Sequence, residues 1–123
     1  MVHGGKFLIL KRSGRVKSMK GLWAGISGII EGDEDPLVRA KKEIFEEAGI
    51  TEDRLTLLKE GQPMRVESQY ANHEWQIHPF LFSVDTPSIT LNWENQDYKW
   101  ITQSELVRYQ TVPSLDRVLS SLL

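Results

Sequence analysis

The sequence predicts an α/β protein with a mixed sheet covered on both faces by helices. Three observations carry that reading. Short apolar runs bounded by Gly, Pro and polar residues recur along the chain, as strands do. Two stretches, after Asp35 and from Ser114 to Leu122, instead place apolar residues at helical spacing. Finally, 123 residues at 40% hydrophobic and 26% charged form one ordinary domain with a real core.

Phe7-Leu-Ile-Leu10, following Gly4-Gly5, reads as a buried strand. Basic residues at Lys11, Arg12, Arg15, Lys17 and Lys20 come next, with Gly14 and Gly21 marking loop. Leu22 to Ile30 is interrupted by glycines and predicts a short strand. Asp35 suits a helix N-cap, and Pro36 suits the first helical position, where its missing N–H costs nothing. Leu37, Ala40, Ile44 and Ala48 form the apolar stripe of this helix, and Gly49 stops it. Leu55–Leu58, Met64–Ser68 and Trp75–Val84 read as strands, with Pro79 marking a bulge or an edge position. Tyr98–Ile101 is a further strand, and Thr102 with Glu105 predicts a capping-box helix start. Leu115, Val118, Leu119 and Leu122 close the chain as an amphipathic helix.

The net charge of −2 offers no footprint for stable nucleic-acid binding. Zero cysteines exclude a disulfide framework, a Cys nucleophile and a Cys-ligated zinc. Apolar runs such as Phe7–Leu10 are far too short to cross a membrane, and nothing reads as a signal peptide. A cytoplasmic location is the expectation.

The most informative stretch is Gly28–Ile50, GIIEGDEDPLVRAKKEIFEEAGI. Glu43, Glu46 and Glu47 stand at offsets of three and four, on one helix face about 100° wide. Like charges so placed repel, and a hard divalent cation turns the repulsion into attraction. The stretch resembles the Nudix box, G-x5-E-x7-R-E-U-x-E-E-x-G-U with U aliphatic. Gly28, Glu34, Glu43, Ile44, Glu46, Glu47, Gly49 and Ile50 fall in register, and the family's Arg is here Lys42. So many matches arise by chance on the order of once in a million.

The resemblance implies the Nudix fold, an α/β/α sandwich around a mixed sheet, with the box as a loop–helix–loop at its mouth. It implies a hydrolase that cleaves the pyrophosphate linkage of a nucleoside diphosphate joined to another group, with Mg²⁺ as cofactor and Mn²⁺ as a substitute. Glu46 and Glu47 become metal ligands, assisted by the Gly28 carbonyl, and Glu43 orients or deprotonates water, directly or at the metal. Glu34 would pair with Lys42 to hold the loop. A Lys offers a point charge in place of a planar fork, so a looser loop is expected. Glu94 is the candidate for a further carboxylate from a loop outside the box, with Asp97 the runner-up. Family members usually have another strand before the one at Phe7. Only Met1–Gly5 precede it here, so either that strand is truncated or the sheet is built differently, with a homodimer as one route.

Other residues admit plainer readings. Glu43 with Arg39, and Glu46 with Lys42, would make ordinary helix-surface ion pairs. Arg12 and Arg15 are candidates for substrate phosphate, since a guanidinium suits bidentate contact. Trp23, a candidate substrate contact, and Trp93 offer stacking surfaces, although aromatic residues near a sheet usually serve the core. His73 and His78 lack metal-ligand spacing. A non-catalytic nucleotide-binding module of the same fold is the alternative, and retention of all three box glutamates argues against it. An isomerase on this fold would call for a catalytic Cys. The leaving group is open among nucleoside triphosphates, ADP-ribose, dinucleoside polyphosphates, sugar nucleotides and nucleotide cofactors. The short chain favours a small triphosphate.

Overall fold

The computed structural model describes residues 1–26, 33–68 and 73–123. Strand β2 (Lys6–Arg12) is the hub of the main sheet. Along one edge it pairs antiparallel with β8 (Asn95–Ile101), from Phe7↔Ile101 to Arg12↔Asn95. Its other edge is shared by two short strands, β1 (Val2–His3) and β3 (Trp23–Ala24). β1 also pairs parallel with β7 (Phe80–Val84), which pairs antiparallel with β4 (Leu55–Glu60). The sheet is therefore mixed. The strand ahead of β2 is β1, two residues long.

Alternation along the strands sends successive side chains to opposite faces. Phe7, Ile9 and Ile101 share one core with Trp23, Leu106, Leu115 and Leu119. The last two belong to α2 (Leu115–Leu122), whose leucines at 115, 119 and 122 are buried as its spacing predicts. Trp100, one residue from Ile101 in β8, instead joins the core of Phe82, Val84, Ile44 and Ala48. Ile44 and Ala48 come from α1 (Pro36–Ala48). The two helices thus pack on opposite faces, giving the expected α/β/α layering. No helix among the described residues is long and apolar enough to cross a membrane.

Both ends of α1 form as the sequence dictates. Asp35 Oδ1 accepts from the Leu37 and Val38 N–H groups at 2.8 and 3.4 Å. Gly49 ends the helix in the left-handed region at φ 71°, where a Cβ would also stand 2.9 Å from Thr90 Cβ. Glycine is required there on both counts.

One expected element differs. The run from Trp75 to Val84 is not one strand: β6 (His73–Ile77) pairs with β5 (Met64–Ser68) in a separate two-stranded sheet, and β7 begins beyond Pro79. Proline cannot donate to a ladder, so the chain leaves one sheet there and enters another. The β4–β7 pairing reaches up to this point, the Gly61 N–H donating to the Pro79 carbonyl at 2.9 Å. After Thr102 the expected helix forms as a 3₁₀ helix, Gln103–Arg108. Glu105 still reaches back, its Oε1 accepting from the Thr102 N–H at 3.1 Å.

Candidate active site

The acidic face of α1 lies between the sheet and solvent. Residues of a helix advance by about 100° each, so Glu47, Glu43 and Glu46 follow one another around an arc beside the Ile44–Ala48 stripe. Packing of that stripe fixes how deeply each carboxylate sits. Glu43 and Glu47 are buried, at 9% and 4% exposure, while Glu46 is exposed. Burial pushes the Glu43 carboxyl above the ordinary glutamate range, and the charges of Glu46 and Glu94 add to the rise against the opposing pull of Arg39. Charge is concentrated here at a cost to the fold, the pattern of a working site.

Arg39, one turn before Glu43, holds this face together. Its Nε and Nη2 donate to the two oxygens of Glu34 at 2.6 and 2.9 Å, and its Nη1 donates to Glu43 Oε1 at 3.2 Å. Lys42 also reaches Glu34, with Nζ 3.4 Å from Oε2, but its side chain is 57% exposed. Lys42 thus pairs with Glu34 as expected, but the expected lack of a planar fork is corrected. A fork is present, and Arg39 supplies it.

The loop carboxylate is close by. Glu94 ends the loop before β8, its N–H donating to Asn92 Oδ1 at 3.1 Å. Its charge acts on Glu43, whereas Asp97 lies exposed in β8 and accepts from the Tyr98 N–H at 2.7 Å. Buried Ser13 ties the loops together: its hydroxyl donates to the Trp93 carbonyl at 2.7 Å, and its N–H donates to the Glu94 carbonyl at 2.8 Å.

Asn95 is a site residue that sequence reasoning missed. It is 6% exposed, and its Nδ2 donates to Glu47 Oε1 at 3.2 Å. A bulge delivers it. Lys11 faces Asp97 while Arg12 faces Asn95, so Gln96 is the extra residue and the side chain beyond it is re-aimed. The sequence signal is only its place beside Glu94.

The remaining candidates are dispersed. Arg12 Nε donates to the Ser18 carbonyl at 3.2 Å, bracing its own loop, and Arg15 is exposed. Trp23 does not face the site. It is buried in the α2 core, with Tyr109 packed edge-on at 5.2 Å between ring centroids. Substrate contact is corrected to a core role, because its ring is covered by protein. Trp93 is 55% exposed beside Glu94. Gly28 lies outside the described residues.

As a cation site, the donor chemistry fits: hard carboxylate oxygens crowd one face, and Glu43 resists carrying its charge there. Among the described residues, no three acidic or histidine side chains converge on one point. The residues that would hold a cation are Glu46 and Glu47, with Glu43 and Glu94 adjacent.

The fold is shared with solved structures. A Caenorhabditis elegans Ap4A hydrolase superposes with a TM-score of 0.77 at 22% identity, covering 94% of this chain and 82% of the other. A MutT protein from Methanosarcina mazei gives 0.71 at 23%, covering 92% and 78%. The NUDIX domain of Shewanella oneidensis NrtR, solved with ADP ribose, gives 0.74 at 14%, covering 94% and 74%. No curated protein matches the chain. The NUDIX domain model matches residues 1–122. With that match over a box helix whose acidic face is in place, the chain belongs to the Nudix family of pyrophosphohydrolases, which act on nucleoside diphosphate-linked substrates and depend in general on divalent metal.

Proposed function

We propose that this protein is a Mg²⁺-dependent hydrolase of a small nucleotide, a (deoxy)nucleoside triphosphate or a close relative, cut at its pyrophosphate linkage. The observation that carries this reading is the buried pair Glu43 and Glu47, one held by Arg39 and the other by Asn95. A carboxylate kept only for solubility would not be buried and oriented.

When bound, the cation neutralises charge on the diphosphate oxygens that otherwise repels an incoming nucleophile. Glu46 and Glu47 would hold it, and Mn²⁺ would substitute. Asn95 fixes the rotation of the Glu47 carboxylate through Oε1. Glu43, held at Oε1 by Arg39, takes a proton from the water attacking phosphorus. Its raised pKa brings it nearer to the working pH of a base. The new P–O bond forms as the bridging P–O bond breaks, and the departing nucleoside monophosphate or pyrophosphate keeps the bridging oxygen. Glu94 adds charge at the mouth, and Arg12, paired across the sheet with Asn95, and the exposed Arg15 are candidates for the phosphate chain.

A panel of nucleoside triphosphates, ADP-ribose, dinucleoside polyphosphates and sugar nucleotides tests this reading. At least one triphosphate should be hydrolysed with Mg²⁺ or Mn²⁺, and EDTA should stop the reaction. Undiminished turnover after complete chelation would sink the metal mechanism. Retention of Glu43, Glu46 and Glu47 on one helix argues against the alternative, a nucleotide-binding module without turnover. Tight binding of a panel member by calorimetry with no product from any of them would establish it.

A further inference from the structure

We propose that Arg39 is a positioning residue that supplies the planar grip on Glu34 that Lys42 cannot and extends it to Glu43, so that one guanidinium couples the residue ahead of the helix to the candidate base. The proposal rests on the catalytic reading of Glu43 above. Its observations are geometric. Arg39 uses three nitrogens on two carboxylates: Nε and Nη2 on Glu34 at 2.6 and 2.9 Å, and Nη1 on Glu43 at 3.2 Å. The contact is sheltered, with side-chain exposures of 19% for Arg39, 16% for Glu34 and 12% for Glu43. Lys42 brings one nitrogen at 3.4 Å from a side chain 57% exposed.

Helix geometry explains the choice of position. With Glu43 taken as zero, Glu47 lies at about +40°, Glu46 at about −60°, Arg39 at about −40° and Lys42 at about −100°. Position 39 is inside the acidic arc and position 42 is outside it. A planar fork at 39 can therefore close on Glu34 in two places and still reach Glu43. A lysine at 42 can neutralise Glu34 but cannot fix its plane. Loss of the fork should misdirect Glu43 while leaving the nucleotide's binding groups in place, an effect on kcat more than on KM.

Four variants test this: Arg39→Lys, Lys42→Ala, Arg39→Ala and Arg39→Ala/Lys42→Arg. Arg39→Lys keeps the charge and loses the fork. It should lower kcat about tenfold with KM within about twofold, whereas Lys42→Ala should change kcat less than about twofold. Adding Lys42→Arg to Arg39→Ala should recover part of the lost kcat, because Nζ of Lys42 already stands by Glu34. Wild-type kcat in Arg39→Lys, or a loss in Lys42→Ala equal to that in Arg39→Lys, would overturn the proposal. A second measurement does not depend on turnover. Thermal melting of the metal-free protein in double-mutant cycles with Glu34→Gln should show stronger coupling to position 39 than to position 42. Equal coupling, or coupling only to position 42, would overturn it even for a protein that hydrolyses nothing. Strong coupling in a protein without turnover would instead place the failure on the catalytic reading.

Discussion

Helices α1 and α2 pack against opposite faces of one sheet, yet they bury opposite chemistry. α2 hides Leu115, Leu119 and Leu122, and nothing in its buried stripe is charged. α1 hides Ile44 and Ala48 but also Glu43 and Glu47. The first arrangement stabilises the fold by removing apolar surface from water. The second costs stability, offset in part by Arg39 Nη1 on Glu43 and the Asn95 amide on Glu47. Substitutions in the two helices should therefore separate folding from activity.

The largest effect belongs to α2. Leu119→Ala leaves a cavity in the Phe7, Ile9 and Ile101 core and should cost about 2–5 kcal/mol. Activity per folded molecule should stay near wild type. A kcat loss at full folding, measured alongside chemical denaturation, would break the division between the helices.

Glu47→Gln should act in the reverse sense. Its kcat should fall on the order of a hundredfold or more, and Glu46→Gln should follow it. Near-wild-type turnover in both, in proteins of native helix content, would reduce the acidic face to a solvated surface. The exposed Glu46 should leave the melting temperature almost unchanged, whereas buried Glu47 should shift it.

Smaller, and sharper in what it distinguishes, is the loop pair. Glu94→Gln should lower kcat about tenfold, and Asp97→Asn should leave it within about twofold. The reason is that Glu94 acts on Glu43 electrostatically while Asp97 is turned to its own backbone. The reverse ranking would move the role to Asp97.

The subtlest effect is on stability against pH. Burial raises the Glu43 pKa in the folded protein above the ordinary value of 4.5, so the folded state binds its proton more tightly than the unfolded state does. Raising the pH past 4.5 and through the raised value therefore withdraws stability as Glu43 ionises. Glu43→Gln in the metal-free protein should melt higher than wild type at neutral pH, and the gap should close as the pH drops below 4.5. Melting curves that show the variant less stable at neutral pH would mean that Arg39 more than compensates for burial.

Much of this molecule is legible in the order of its residues. The acidic arc, the Asp35 and Gly49 caps and the leucine stripe of α2 depend on residues within a turn or two of each other. Local periodicity and backbone sterics decide such features. The fold class follows too, because alternating strand and helix patterns leave few ways to bury every apolar face. Tertiary structure alone decided the rest. Trp23 is compatible with either a stacking surface or a core until Tyr109, far along the chain, covers it. Asn95 meets Glu47 across 48 residues, and only through a bulge whose register depends on the pairing of β2 with β8. Arg39 stands in plain view as a partner for Glu43 four residues on. Its second grip, on Glu34, depends on how the segment before the helix lies against it, which no helical periodicity encodes.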